Sequence, residues 1–277
     1  MSWNVFAVVM LAAILHATWN AIVKSGDDKL LSTTLVTTFA ALLSALLLPL
    51  LDSPARESWS FIGISASLQI LYFLLVATTY RLTDLSQTYP LMRGTAPLFV
   101  AAFSTVALGD RLTPLAWAGI LGICLGVLSM VLKTNLTTRR GSYLALANAL
   151  VIASYTFVDG VGVRRSGAPA SYTLWVFLLT GLPLGVWVLG SRRGSLPRYL
   201  RRHWQPGLVG GIGTVASYGL ALWAMTHAPI ALVAALRETS ILFGVAIAGI
   251  VLREHVARGR VVGACIIALG AAALRLA

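Results

Sequence analysis

The chain carries an internal duplication, and this limits the folds that are open to it. Residues 90–127 align with residues 234–271 without a gap, at a constant offset of 144 positions. The identical aligned pairs include Arg93/Arg237, Thr95/Thr239, Leu98/Leu242, Phe99/Phe243, Ala102/Ala246, Leu108/Leu252, Gly119/Gly263, Leu125/Leu269 and Gly126/Gly270. The chain is therefore predicted to contain two copies of one structural unit.

The composition places this duplicated unit in a membrane. Of the 277 residues, 58% are hydrophobic and only 11% are charged, and the mean hydropathy of +0.84 is too high for a soluble domain. A helix of about 20 apolar residues crosses the hydrocarbon core of a bilayer. Ten such spans are predicted, at roughly 3–23, 30–51, 59–80, 86–108, 114–132, 142–163, 169–190, 206–227, 230–252 and 258–276.

The number of spans in each copy predicts how the copies are related. Five is an odd number, so the second copy must enter the membrane from the opposite side. We therefore expect an all-α integral membrane protein with ten transmembrane helices in two inverted five-helix repeats, residues 1–135 and 136–277. The connections are short apart from one basic loop at 191–206. The first span lacks a cationic leader and a small-residue cleavage site, which favours a retained helix.

Charge and small residues predict the macromolecular partners. The net charge is +12, but nearly all of the basic residues lie in loops or at span ends. This pattern predicts contact with lipid headgroups of the bilayer and no nucleic-acid partner. Gly122 and Gly126 have G-x-x-x-G spacing in the fifth span, which suits close packing of helices. Packing within a monomer and a homodimer seam both remain open.

Loop charges also bear on orientation. If both termini are cytoplasmic, five basic residues face the cytoplasm: Arg56, Arg111, Arg164, Arg165 and Arg275. Fourteen others then lie on the opposite side. The positive-inside rule alone would therefore place both termini outside.

Two arginines at membrane depth are the strongest functional signal. Arg93 lies roughly 10 Å into the fourth span at 1.5 Å per residue, and Arg237 repeats it in the second copy. Buried charges in a membrane are costly and usually mark a pathway or a binding site. Pro97 follows Arg93 by four residues and cannot donate to its carbonyl, which predicts a kink involving Gly94 and Pro97. Tyr89, Arg93 and Pro97 share one helix face.

The short connections bring polar side chains of both halves to a similar depth, which predicts a charged cavity halfway across the membrane. The predicted substrate-binding residues are Arg93, Arg237, Tyr89, Tyr72, His16, Trp19, Asn20, Tyr155 and Trp223. Asp159 and Glu238 are candidates for proton or charge coupling. Two guanidinium groups can clamp a carboxylate or phosphoryl group, so we expect a small anion or zwitterion as the guest.

Each of these residues also has a simpler interpretation. Arg93 and Arg237 could extend to the headgroups, since a long side chain spans several ångströms. Glu238 could form a structural ion pair with another helix, and Asp159 could be a helix-end residue. A hydrogen-bonded packing role is the alternative for His16. The predicted tyrosines and tryptophans are individually more often packing or interfacial aromatics.

Sequence patterns of known catalysts do not occur in this chain. There is no G-x-S-x-G elbow, no H-E-x-x-H pair and no P-loop. We therefore expect no catalytic residues, no metal and no cofactor. Any active transport would have to be driven by a gradient.

The motifs resemble those of the EamA family of the drug/metabolite transporter superfamily. The resemblance covers essentially the whole chain and rests on three groups of residues: Arg93, Gly94 and Pro97; Gly109-Asp110-Arg111 with Arg253-Glu254 in the second copy; and Trp117, Gly119, Leu125, Gly126 and Val127. It implies a basket-like carrier that alternates access in a bacterial inner (plasma) membrane, with cytoplasmic termini. The second copy has Glu238 and Ile241 where the first has Gly94 and Pro97.

These observations favour a secondary transporter that exports small zwitterionic or anionic metabolites such as amino acids. An importer of an organic anion, such as a phosphonate-like compound, is the alternative within transport. An intramembrane lipid-modifying enzyme with His16 as its base belongs to a different class. A passive channel would show flux that does not saturate.

Overall fold

A computed structural model of the chain describes residues 1–82, 85–130, 139–191, 196–251 and 257–277. Within these residues the regular structure is helical and contains no strand. The first repeat consists of α1 (Trp3–Ser25), α2 (Lys29–Leu47), α3 (Trp59–Leu82), α4 (Leu85–Leu108) and α5 (Pro114–Ser129). The second consists of α6 (Arg139–Ser166), α7 (Pro169–Ser191), α8 (Leu196–Met225), α9 (Ile230–Arg237), α10 (Ser240–Ala246) and α11 (Arg258–Leu276). The predicted boundary at 135/136 lies outside the described residues.

The helices confirm the predicted membrane architecture. In the described part of the chain, nine segments are long and apolar enough to cross a bilayer. One of them, Ile230–Ile250, is built from α9, α10 and most of the π-helical segment Ile247–Val251. Helix α5 is the tenth apolar helix and is shorter, at 16 residues. The protein is thus an all-α membrane protein of two five-span repeats.

The main helix contacts between the repeats have equivalent contacts. α1 of the first repeat packs on α8 of the second, and their equivalents, α6 of the second repeat and α3 of the first, pack on each other. Three further contacts join equivalent helices directly: α2 with α7, α5 with α11, and α4 with α9. The repeats therefore interlock, and the interior lies where α4, α6 and α9 meet.

The pair formed by α5 and α11 packs through glycines. A Cβ atom on Gly126 would lie 2.9 Å from the carbonyl oxygen of Gly263, and one on Gly119 would lie 2.9 Å from that of Gly270. A Cβ atom on Gly122 would lie 3.4 Å from Gly270 Cα. Small residues allow this close approach of two backbones. The G-x-x-x-G face is therefore used between the repeats of one chain, and a homodimer stays a prediction that no described contact tests.

The sequence predicted a basic loop at 191–206. This prediction is wrong for residues 196–206, which are helical. Helix α8 already begins at Leu196, and residues 196–206 belong to it. The helix bends at His203, whose φ of −122° and ψ of 17° are not helical. Pro206 follows the bend and cannot donate to the carbonyl four residues before it. Basic side chains and a proline suggested a loop, but both are compatible with a bent helix start at the membrane surface.

The two central helices of the repeats differ in continuity. α4 runs unbroken through Pro90 and Pro97. Its equivalent in the second repeat is interrupted after Arg237, where the N–H groups of Glu238 and Thr239 each bond at 3.0 Å to the carbonyl three residues back. Such tightened turns within a span often mark functional positions. The helix that lacks a proline is therefore the one that breaks, and the kink or gate role of Gly94 and Pro97 stays a prediction.

Candidate functional site

A small cavity lies between the repeats within the membrane spans. Its lining comes from α4, α6, α9 and the turn after α9: Arg93, Ala96, Pro97, Val100, Ile152, Tyr155, Thr156, Ala234, Arg237 and Glu238. The cavity volume, counted as the space that the centre of a water molecule can occupy, is about 10 Å³. This is room for about one water molecule, so the lining side chains nearly fill the cavity.

An ion pair between Arg93 and Glu238 connects the repeats at this cavity. Arg93 Nε lies 3.0 Å from Glu238 Oε2, and the two side chains are only 9% and 6% exposed. Arg93 therefore does not extend to the headgroups, and Glu238 forms the interhelix pair that the sequence left open. Neither atom has a hydrogen bond of regular geometry. The pair is consequently held by charge and retains bonding capacity for a guest.

Arg237 has a different kind of partner. It is half-buried, it lines the cavity, and its Cζ atom lies 4.9 Å from the ring centroid of Tyr218. A guanidinium over an aromatic face is attracted by the ring quadrupole. An ion pair equivalent to that of Arg93 cannot form, because Gly94 occupies the position that Glu238 occupies in the second repeat.

Asp159 lies in a buried cluster of hydrogen bonds. The hydroxyl of Tyr172 donates to Oδ1 at 2.9 Å, and that of Tyr218 donates to Oδ2 at 2.5 Å. Gln69 Nε2 approaches Oδ2 at 3.4 Å. Asp159 is therefore an interior residue and not a helix-end residue at the surface. Tyr218 connects it to Arg237.

Tyr172 and Gln69 were not predicted as site residues. Tyr172 is the fourth residue of α7, a place where a tyrosine usually belongs to the interfacial belt. Gln69 did carry a usable signal, since an amide in the middle of an apolar span needs a polar partner. Which partner it has depends on the rotation of α3 against α6, and no sequence pattern reveals that rotation.

Three predicted tyrosines lie at or beside the cavity. Tyr155 lines it and makes an edge-to-face contact with Tyr72, at 6.0 Å between ring centroids. Tyr72 and Tyr89 pack around the buried Met92 and Ala96. They form a layer next to the lining.

Four other predicted residues do not line the cavity, although the charges of Arg93 and Arg237 act on one of them, His16. His16 contacts Trp19 edge-to-face at 5.2 Å, and the side-chain amide of Asn20 donates to the His16 carbonyl at 2.8 Å. Trp223 packs on the ring of His227 at 4.3 Å. None of these four is among the described residues that line the cavity. Their role in substrate binding stays a prediction.

The remaining lining residues were missed because they are small or apolar. Ala96, Val100, Ile152, Thr156 and Ala234 have no charge that would single them out in a membrane span. They follow the helical spacing of Arg93, Tyr155 and Arg237, which is the signal that could have found them. Among the described residues, no group of three or more His, Cys, Asp or Glu side chains is placed to hold a metal ion.

The fold and the site together define a duplicated multi-pass membrane protein with charged side chains meeting between its halves. The profile of the EamA-like transporter family matches residues 3–132 and 139–276, one match for each repeat. The chain belongs to this family, as its motifs predicted.

The same fold occurs in a solved structure. One crystal structure, described only as that of a protein, covers 100% of this chain with 98% of its own length. The TM-score is 0.81 and the sequence identity 18%, so the likeness concerns the fold alone. No curated protein matches the sequence.

Proposed function

We propose that this protein is a secondary active transporter that moves small zwitterionic or anionic metabolites, such as amino acids, outward across the bacterial inner membrane by alternating access. Membership of a transporter family supports transport in general. The observation that carries the substrate class is the buried Arg93–Glu238 pair at the contact between the repeats. We further infer cytoplasmic termini, following the family resemblance against the loop charges.

A zwitterion suits this pair because it carries both complementary charges. Separating a buried ion pair without replacement leaves uncompensated charges, which costs about 3–5 kcal/mol. A substrate carboxylate on Arg93 and a substrate ammonium on Glu238 would compensate both charges. Arg237 could then complete a two-arginine clamp on the carboxylate. Binding of the substrate would thus permit the separation of α4 from the turn after α9.

The size of the cavity fits a carrier in a closed arrangement. Space for about one water molecule is too little for an amino acid. Entry of a substrate therefore requires the lining helices to move apart. The interruption at Glu238 and Thr239 offers a place where the second repeat could bend, and Gly94 and Pro97 offer one in the first.

The direct test is transport by the purified, reconstituted protein. We expect saturable counterflow of at least one of the twenty standard L-amino acids in proteoliposomes, and thermal stabilisation of the protein by that same amino acid. Flux that rises linearly with concentration would indicate a channel. Absence of both binding and counterflow for the whole panel would contradict the proposed substrate class.

One observation favours the organic-anion alternative. Two guanidinium groups but only one carboxylate line the cavity, which leaves an excess positive charge in the lining. A phosphonate-like anion would use both arginines and would not need Glu238. By contrast, the lipid-modifying enzyme would need His16 at the site, and His16 is not among the described residues that line the cavity.

A further inference from the structure

We propose that Tyr218 is a positioning residue that links proton binding at Asp159 to the substrate position of Arg237. This inference rests on the proposed transport function and names the device that would couple it to a proton gradient. The phenol of Tyr218 faces two ways: its hydroxyl donates to Asp159, while its ring lies beneath the guanidinium of Arg237. One side chain thus joins a buried carboxylate to the cavity wall.

Asp159 suits reversible protonation better than Glu238. From the described residues, no salt bridge reaches Asp159, whose carboxylate is held by neutral donors on α3, α7 and α8. Protonation of Asp159 therefore breaks no ion pair among the described residues, although it removes a negative charge that acts on Arg237. Protonation of Glu238 would leave Arg93 unpaired in the interior, which is far more costly.

A proton on Asp159 must rearrange its hydrogen bonds. An ionised carboxylate only accepts, whereas a carboxylic acid carries one O–H that has to donate. A proton on Oδ2 would donate to the hydroxyl oxygen of Tyr218, so that the Tyr218 hydrogen must turn to another acceptor. The phenol then no longer donates to an anion, and its ring loses the polarisation that strengthens the contact with Arg237.

The position of Arg237 in the structure determines whether the proton favours or opposes binding of the substrate. Arg237 lines the cavity while it rests on Tyr218, so the arrangement with an ionised Asp159 is the one that holds both arginines at the site. Protonation of Asp159 weakens the contact between Tyr218 and Arg237, and Arg237 then binds the substrate carboxylate less tightly. Proton and substrate therefore oppose each other's binding, and by linkage the effect is reciprocal. This relation suits exchange of an outgoing substrate for an incoming proton.

The other titratable groups near Asp159 lie on α6 itself and on the helices that pack around it. The elements packed on α6 contribute Arg93 from α4, Tyr172 from α7, Tyr218 from α8, Arg237 from α9 and Glu238 after it, and α6 itself contributes Tyr155. Within the described contacts, only Tyr172 and Tyr218 among these touch the carboxylate. Tyr172 has no described contact with Arg93 or Arg237, which leaves Tyr218 as the connection to the cavity.

The test compares binding across pH in six proteins: the wild type, three variants and two controls. The probe is the standard L-amino acid that most stabilises the wild type, and its affinity is measured from acidic to alkaline pH by calorimetry. The variants are Tyr218→Phe, Tyr218→Leu and Asp159→Asn. Tyr143→Phe and Asp52→Asn are matched controls, because both side chains are exposed. Melting temperature verifies the folding of every variant.

For the wild type and both controls we expect affinity to fall as pH falls. Tyr218→Phe keeps the ring but loses the hydroxyl, and with it the polarisation of the ring by Asp159, so its affinity should stay near the acidic wild-type value at every pH. Asp159→Asn should be weak and independent of pH. Tyr218→Leu should bind roughly 2- to 30-fold more weakly at alkaline pH, the range that a cation–π contact spans.

Two results would overturn the coupling role while leaving transport intact. One is a Tyr218→Phe variant that retains the wild-type dependence of affinity on pH. The other is an affinity that depends on sodium at constant pH and not on protons. A failure of all twenty amino acids to bind the wild type would instead remove the proposed function, and this inference with it.

Discussion

Arg93 and Arg237 are the same residue in two copies of one sequence segment, yet they have different partners. Arg93 forms a buried ion pair with Glu238 of the other repeat, whereas Arg237 rests on the ring of Tyr218 in its own repeat. The helices around them pack in a symmetric pattern. The two-fold relation of the fold therefore does not extend to the site.

This asymmetry has a chemical consequence. A cavity with two equivalent arginines would treat both ends of a substrate alike. The single Glu238, matched by Gly94 in the first repeat, leaves the lining with two guanidinium groups and one carboxylate, which lies against Arg93. Such a lining offers opposite charges to the two charged groups of a zwitterion.

The largest effect is expected for Arg93→Ala, which tests the paired arginine. The substitution removes the binding group for the carboxylate and leaves Glu238 uncompensated, so saturable amino-acid uptake should fall at least about 100-fold. Uptake into proteoliposomes is the measurement, with the exposed Arg140→Ala as control. Wild-type uptake by folded Arg93→Ala would exclude Arg93 from the substrate site.

Glu238→Gln should separate the two substrate classes. The variant loses the partner of a substrate ammonium, so zwitterion uptake should fall about 10- to 100-fold, as expected for loss of a charge-assisted contact. Uptake of a phosphonate should be unchanged or higher, because both arginines remain. The exposed Glu57→Gln is the matched control. Equal losses for both substrates would mean that Glu238 has only a structural role.

Arg237→Leu should cause a smaller loss, about tenfold, because Arg93 still binds the substrate carboxylate. Arg237→Lys should be intermediate, since an ammonium keeps the charge but not the planar fork. Kinetic constants of counterflow measure the loss, and Arg139→Leu serves as the exposed control. Full activity of Arg237→Leu would favour a guanidinium directed to the headgroups.

The glycine seam should give the smallest effects, and symmetric ones. Gly126→Ala and Gly270→Ala occupy equivalent positions, and in each a new Cβ atom meets a backbone oxygen of the partner helix at 2.8–2.9 Å. Each should lower stability by about 1–3 kcal/mol through overpacking. Thermal unfolding in detergent measures the change. Gly244→Ala is the control, because its Cβ atom would meet nothing within 4 Å. Clearly unequal losses would show that the packing is less symmetric than the contacts indicate.

Much of the fold could be predicted from local properties of the chain. Membrane insertion depends on the hydrophobicity of about 20 neighbouring residues, and the duplication is visible in an ungapped alignment. Where prediction failed, local signals pointed the wrong way. Charges and a proline suggested a loop at 196–206, where the structure has a helix, and no sequence signal marked the interruption at Glu238 and Thr239.

The sequence identified the charged residues of the site but not the partners that they contact. Arg93, Arg237, Tyr155 and Glu238 all line the cavity, because an ionisable or phenolic group at membrane depth needs a polar surrounding. His16 satisfied the same criterion but is not among the described lining residues; its imidazole packs on Trp19 of its own helix, and the charges of Arg93 and Arg237 act on it.

The amino-acid sequence alone established a duplicated ten-span membrane protein with two arginines at depth and a transporter-family membership. Partner choice needed the folded molecule. Glu238 follows Arg237 in the chain but pairs with Arg93 of the other repeat, and Asp159 is held by phenols from two other helices. Contacts of this kind depend on the rotation and depth of packed helices to within an ångström, which arise from many side chains acting together.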